Sequence, residues 1–393
     1  MVESFLVFGT GFLMRPLGGA LLGYIGDKYG RKLSLEHSIF IMALSTFLLG
    51  CLPTYDQIGY ASTVLLVIVR MLQGLSVGGQ LMTSLVFTLE RKPKKFWGYY
   101  GSVVMSTATA GTLFGGIIAY IVRENLNDDD LHSWGWRIPF LLGCVVVIPG
   151  WYLKYKTTDN REHLDDNVPV ENPIKELMNP VYARSFISCS MMVTAGAGGF
   201  YLAYVWMVIF METIMEPPVD NAFAINSVSL FIGAMCIYPY CGHLSDSIGR
   251  LPMMITGGIL IIFLGPISVI LVNVGDPFVA FLGQSVLGLS LSIFGAPTNA
   301  WIVENFPPQV RLTALSVAYN LTTGIIGGFT PALATVLVDH VGKVSPGFLM
   351  SVYSIISLIG LYISPRVEIS MKSKAKTSSS SPNDEKVPDN EVV

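Results

Sequence analysis

Over 393 residues the chain is 52% apolar and 13% charged, with a mean hydropathy of +0.57 and a formal net charge of −3. Soluble globular chains carry about 25% charged residues, so an ordinary soluble domain is excluded. The apolar residues fall in runs of about 18 or more, long enough for a ~30 Å hydrocarbon core, and the alternating ten-residue pattern of a membrane barrel is absent.

From the N-terminus the apolar runs predict membrane helices over 4–26, 36–53, 60–83, 97–122 and 138–155. The polar stretch 156–183, with Pro169, Pro173 and Pro180, reads as a joint. A second series follows over 184–211, 222–244, 253–273, 278–301, 312–338 and 346–364. The remainder, with Ser378–Ser381 and alternating charges, reads as a disordered tail. The fold class is therefore an all-α integral membrane protein. It divides into an N-terminal bundle 1–155, a linker 156–183, a C-terminal bundle 184–365 and a tail 366–393.

An internal repeat ties the two series together. Gly23-Tyr24-Ile25-Gly26-Asp27-Lys28-Tyr29-Gly30-Arg31 returns as Gly242-His243-Leu244-Ser245-Asp246-Ser247-Ile248-Gly249-Arg250, 219 residues on. Gly74-Leu75-Ser76 returns as Gly288-Leu289-Ser290, and Glu90-x-x-Pro93 as Glu304-x-x-Pro307, both at an offset of 214. The chain thus reads as two pseudo-symmetric helical bundles. Two spans precede the second hairpin and only one precedes the first, so five plus six spans are seen where six plus six are expected. The symmetry predicts one further helix ahead of the first hairpin.

Lysine and arginine set the orientation. Loops on the hairpin side hold 14 of them and the tail adds 5, against 3 on the opposite face, Arg123, Arg137 and Lys343. The hairpins and the tail are expected in the cytoplasm, with the chain in the plasma membrane. The opposite loop carries Asp128, Asp129 and Asp130.

In the hairpins, Gly23, Gly30 and Gly249 permit a tight turn and close helix approach. Asp27, and Asp246 by the repeat, can accept from backbone amides at a neighbouring helix start or pair with an arginine. Arg31, Lys32 and Arg250 can pair with that neighbour or with lipid headgroups. A switching role for this motif stands against a purely topogenic basic loop. Arg15 and Arg70 lie mid-depth in their spans, where a charge is costly and normally faces a partner or a wet cavity. Arg70 aligns with the neutral Gln284. A cavity cationic on one side suits a carboxylate. The competing reading is an arginine held by carbonyls to stiffen packing. Gln73 and Gln80 flank Gly78-Gly79 on the Arg70 helix. Phe200, Tyr201, Tyr204 and Trp206 can cage a quaternary ammonium group by cation–π contact, or simply face lipid.

No Asp or Glu falls mid-depth in any predicted span, and the histidines lie near span ends or in loops. No nucleotide, nucleophile-elbow or metal-ligand motif is present, so no enzyme, cofactor, metal or nucleic-acid partner is expected. The five cysteines read as buried small side chains. The sequon at Asn320 falls inside an apolar run, against glycosylation.

Together these residues resemble the major facilitator superfamily, and within it the metabolite:proton symporter group, especially its proline/betaine members. The matching segments are Phe12-Leu13-Met14-Arg15-Pro16-Leu17-Gly18-Gly19 with Gly26-Asp27-Lys28-Tyr29-Gly30-Arg31-Lys32, and Arg70-x-x-Gln73-Gly74-x-Ser76-x-Gly78-Gly79. Trp134-Gly135-Trp136-Arg137-Ile138-Pro139-Phe140 and Phe306-Pro307-Pro308-x-Val310-Arg311 continue the likeness. The resemblance implies twelve helices, alternating access between two bundles, gating by Asp27 and Arg31, and a place for Arg70 in proton symport. Helix 97–122 has Gly111-x-x-x-Gly115 without the Gly-Pro ending of antiporters, which favours symport. Where the group carries an acid after the paired glycines, this chain has Gln80. The expected function is proton-coupled symport of a small carboxylate-bearing solute, proline- or betaine-like first and a di- or tricarboxylate second. A facilitated-diffusion uniporter and a non-transporting sensor or scaffold are the alternatives.

Overall fold

The computed structural model describes residues 2–157 and 172–365, and within them all regular structure is helical. Eleven long helices follow the eleven predicted runs. They are α1 (Val2–Tyr29), α2 (Arg31–Gly50), α3 (Tyr60–Glu90), α4 (Trp97–Asn125), α5 (Gly135–Lys156) and α6 (Pro180–Ile214). Then come α7 (Ala222–Ile248), α8 (Arg250–Val272), α9 (Pro277–Glu304), α10 (Arg311–His340) and α11 (Ser345–Tyr362). Ten of them, α2 to α11, are long and apolar enough to cross a bilayer. The expected tail, 366–393, and residues 158–171 of the linker lie outside the described residues.

Several helices outrun their apolar stretches at the hairpin face. The expected 60–83 continues to Glu90, and the expected 36–53 begins at Arg31. Backbone hydrogen bonding carries on past the hydrocarbon region while the side chains turn polar. The hairpins are accordingly tighter than loops. Only Gly30 (φ 118°) separates α1 from α2, and only Gly249 (φ 107°) separates α7 from α8. Both lie in the region that side chains rarely adopt, so glycine is needed at each. The linker also holds a short helix, Pro173–Leu177, capped by the Asn172 side chain and tucked beside α1 and α10.

With no hydrophobic drive between helices in lipid, packing relies on close approach and hydrogen bonds. Along the α1–α3 seam a Cβ at Gly74 would overlap the Gly11 carbonyl, and one at Gly78 the Arg15 carbonyl. Buried hydroxyls donate across helices, as from Ser76 to the Ser38 carbonyl (2.6 Å) and from Ser188 to the Gly360 carbonyl (2.8 Å). Large apolar side chains such as Phe40, Phe263 and Phe329 point outward, as a lipid-facing surface requires. The halves meet along α1 with α10 and α4 with α7. Four π-helical stretches interrupt the second half: Tyr201–Trp206, Phe210–Ile214, Leu230–Ile237 and Thr323–Gly327.

Candidate functional site

Each hairpin aspartate caps a helix of the opposite half. Asp27 accepts from the amides of Leu312 (3.2 Å) and Thr313 (2.7 Å) and from the Thr313 hydroxyl (2.6 Å), at the start of α10. Asp246 accepts from the amides of Gly98 (2.9 Å) and Tyr99 (2.8 Å), at the start of α4. Neither helix start has a cap of its own. The carboxylates therefore satisfy orphan donors and meet the positive end of a helix dipole.

Arginines tie these caps to the helix before each loop. Arg31 pairs with Asp27, donates to Glu90 (3.2 Å), and reaches the Pro308 carbonyl (2.7 Å) across the seam. Arg311 donates to the other oxygen of Glu90 (2.7 Å). In the second half Arg250 pairs with Glu304, lies 3.4 Å from Asp246, and donates to the Lys94 carbonyl (2.9 Å). Glu90 thus holds two arginines from different halves. Above them the seam tightens. A Cβ at Gly23 would lie 2.7 Å from the Thr313 Cα, and one at Gly242 would overlap the Ser102 hydroxyl. Asn320 donates to the Gly78 carbonyl (2.5 Å), and Ser106 to the Met235 carbonyl (2.6 Å).

Beyond this clamp lies a cavity of about 320 Å³ walled by both halves. Arg15 is the one charged side chain among its described lining residues, which hold no carboxylate. Its guanidinium stacks over Phe12 (4.0 Å to the ring centre) and donates to the Tyr201 hydroxyl (3.4 Å) across the seam. Phe200, Tyr201, Tyr204, Tyr238 and Tyr319 give the cavity an aromatic wall, with Thr109, Thr112, Asn299 and Asn320 as polar points. The site can hold an anionic group at Arg15 and an apolar or onium body against the rings.

The structure brings Arg15, Tyr201 and Tyr204 to this cavity and leaves Arg70, Gln73 and Gln80 off its wall. Arg70 donates to Gln73 (3.1 Å), which donates to Thr46 on α2 (3.2 Å). Trp206 does not join the aromatic wall; it stacks on Phe210 and donates to Thr335 (3.0 Å). Lys32 stays out of the clamp, reaching Glu36 (3.5 Å) and the Lys154 carbonyl (2.8 Å). Sequence reasoning missed Glu90, Glu304, Arg311 and Thr313 as clamp residues. The repeat of Glu90-x-x-Pro93 as Glu304-x-x-Pro307 was the signal for the first two. No sequence signal marks Asn299, Tyr238 or Tyr319, which reach the cavity only through helix rotation.

Two bundles clamped at one face around a central cavity define a class of membrane carrier fold. The chain belongs to the major facilitator superfamily, whose model matches residues 4–317 and 222–387. It is 31% identical over 374 residues to the proline/betaine transporter of Escherichia coli (strain K12), covering 91% of this chain and 74% of that protein. It is 33% identical over 329 residues to the alpha-ketoglutarate permease of the same strain, covering 84% and 76%. Among solved structures it resembles the proton:xylose symporter XylE bound to 6-bromo-6-deoxy-D-glucose, with TM-score 0.74 at 17% identity over 91% of this chain and 86% of that one. It also resembles FucP in the outward conformation, with TM-score 0.65 at 12% identity over 91% and 88%.

Proposed function

We propose that the chain is a secondary transporter that moves a small carboxylate-bearing organic solute by alternating access. The observation that carries this reading is Arg15, the one cation among the described lining residues of an aromatic cavity shared by two halves that ion pairs and helix caps clamp at one face. The solute carboxylate would take the place of the Tyr201 hydroxyl beside Arg15. Because Arg15 belongs to α1 and Tyr201 to α6, a bound solute bridges the halves and favours their closure around it. Relatives named as proline/betaine transporters and as an alpha-ketoglutarate permease support a proline- or betaine-like zwitterion first and a di- or tricarboxylate second.

On this reading the clamp is the cytoplasmic gate, and rocking breaks Asp27 from α10 and Asp246 from α4. A coupled cation gradient drives uptake, a proton gradient by family resemblance. Facilitated diffusion is the second reading, favoured by the lack of a carboxylate among the described cavity residues. Reconstitution of the full chain in liposomes tests both, with labelled glycine betaine, proline and α-ketoglutarate. Uptake accelerated by an imposed inward proton gradient supports symport. Uptake indifferent to every imposed ion gradient supports a uniporter, and no uptake of any of the three overturns the assignment.

A further inference from the structure

The second half buries a cluster of oxygen atoms that the cavity reading leaves unused. Gln284 is fully buried on α9, at the position that aligns with Arg70. Its amide nitrogen donates to the Ala203 carbonyl (2.6 Å) and to Asn226 Oδ1 (2.5 Å). Both amide hydrogens are spent, which fixes the orientation of the group, and its Oε1 is left with no partner. Asn226 in turn donates to the Tyr204 carbonyl (3.2 Å). Ala203 and Tyr204 both belong to the π-helical stretch Tyr201–Trp206, where widened turns release carbonyls from the regular ladder.

Two further oxygens in the same three-helix junction are orphaned. The Tyr204 hydroxyl, on a side chain 7% exposed, has no partner. It lies between α7 and α9, so close that a Cβ at Gly233 would come within 2.9 Å and one at Gly288 would overlap it. Ser229 is fully buried and also lacks a partner. It sits on the α7 face defined by Asn226 and Gly233, between the level of the Gln284 amide and that of the phenol. Burying a polar group without a partner costs about 1–3 kcal/mol each, so an occupant that satisfies these three oxygens on the neighbouring segments of α6, α7 and α9 would be favoured.

We propose that Gln284 Oε1, the Tyr204 hydroxyl and the Ser229 hydroxyl form a sodium-ion site, completed by carbonyls of the π-helical stretches. All three groups can accept, and Gln284 Oε1 can only accept, which suits a cation rather than an anion. The site holds no carboxylate, and the cost of burying an ion rises with the square of its charge, so a monovalent ion is favoured over a divalent one. Displaced backbone carbonyls and hydroxyls beside an interrupted helix are suitable ligands for Na⁺ in a membrane bundle. Tyr204 also lines the cavity, so its side chain connects this ion to the solute. The proposal rests on the transport reading only for the role of the ion as a coupling cation; the binding itself does not depend on it.

The test is thermal unfolding of the purified full chain in detergent, with NaCl or choline chloride at equal ionic strength. At tenfold saturation, Na⁺ is expected to raise the melting temperature by about 2–4 °C over choline. Tyr204→Phe and Ser229→Ala are each expected to abolish that difference, and Ser190→Ala, an orphan hydroxyl elsewhere on α6, to retain it. No sodium-specific shift in the unaltered chain, or an equal shift in Tyr204→Phe and Ser229→Ala, overturns the site and assigns the junction to water. A Na⁺ gradient that accelerates solute uptake in liposomes extends the site to coupling. A sodium-specific shift with no uptake of any solute keeps the site and removes the transport reading.

Discussion

Replacing Asp27 with Asn tests the clamp at its most connected point. The carboxylate is fully buried, accepts three hydrogen bonds from the start of α10, and pairs with Arg31. Hydrogen bonds to a charged acceptor contribute about 1.5–3 kcal/mol against 0.5–1.5 for neutral ones, so three bonds lose about 3 kcal/mol in all when the charge goes. The amide also turns one N–H₂ toward donors. In the open arrangement the side chain faces water in either form, so the loss falls on the clamped state alone. A change of 3 kcal/mol is a factor of about 100 in the equilibrium between clamped and open forms. Ser316 on α10 is the reporter, because it is buried against Gly19 across the seam. In a background with the native cysteines removed, Ser316→Cys should react with a maleimide about 100-fold faster when Asp27→Asn is added. Melting temperature and expression check that the fold persists. An unchanged labelling rate in a folded protein would refute the claim that Asp27 holds the halves together.

Arg15→Gln should abolish solute binding, read by solute-dependent thermal shift, because it removes the one cationic side chain among the described cavity residues. Arg70→Gln should abolish uptake while surface expression and solute affinity hold within about twofold; a tenfold loss of affinity would bring Arg70 into the binding site after all. Gly242→Val should prevent closure of the hairpin face, since even a Cβ there overlaps the Ser102 hydroxyl. Fast Ser316→Cys labelling with intact folding is the expected readout. Glu90→Gln should speed Ser316→Cys labelling in the same assay, because Glu90 holds Arg31 and Arg311 from different halves; an unchanged rate in a folded protein would remove Glu90 from the clamp.

The sequence by itself determined the helices. Hydrocarbon thickness and the need to satisfy every backbone group leave a long apolar run few conformations, so eleven runs became eleven helices. The glycines at 30 and 249 were legible because a positive φ is a local property. The pairing of the two hairpins was legible because duplication leaves a common offset. That the hairpin aspartates accept from a helix start was legible, but which helix was not, since Asp27 and Thr313 lie 286 residues apart and meet only where the two bundles pack. Depth in a span likewise did not say which way a side chain faces. Arg15 and Arg70 are alike in sequence, yet the rotation of α1 turns one to the cavity and that of α3 leaves the other off its wall, where it donates to Gln73 on its own helix. Helix rotation is set by packing at the seams, where glycines let backbones approach, and that sum over many neighbours exists only in the assembled structure.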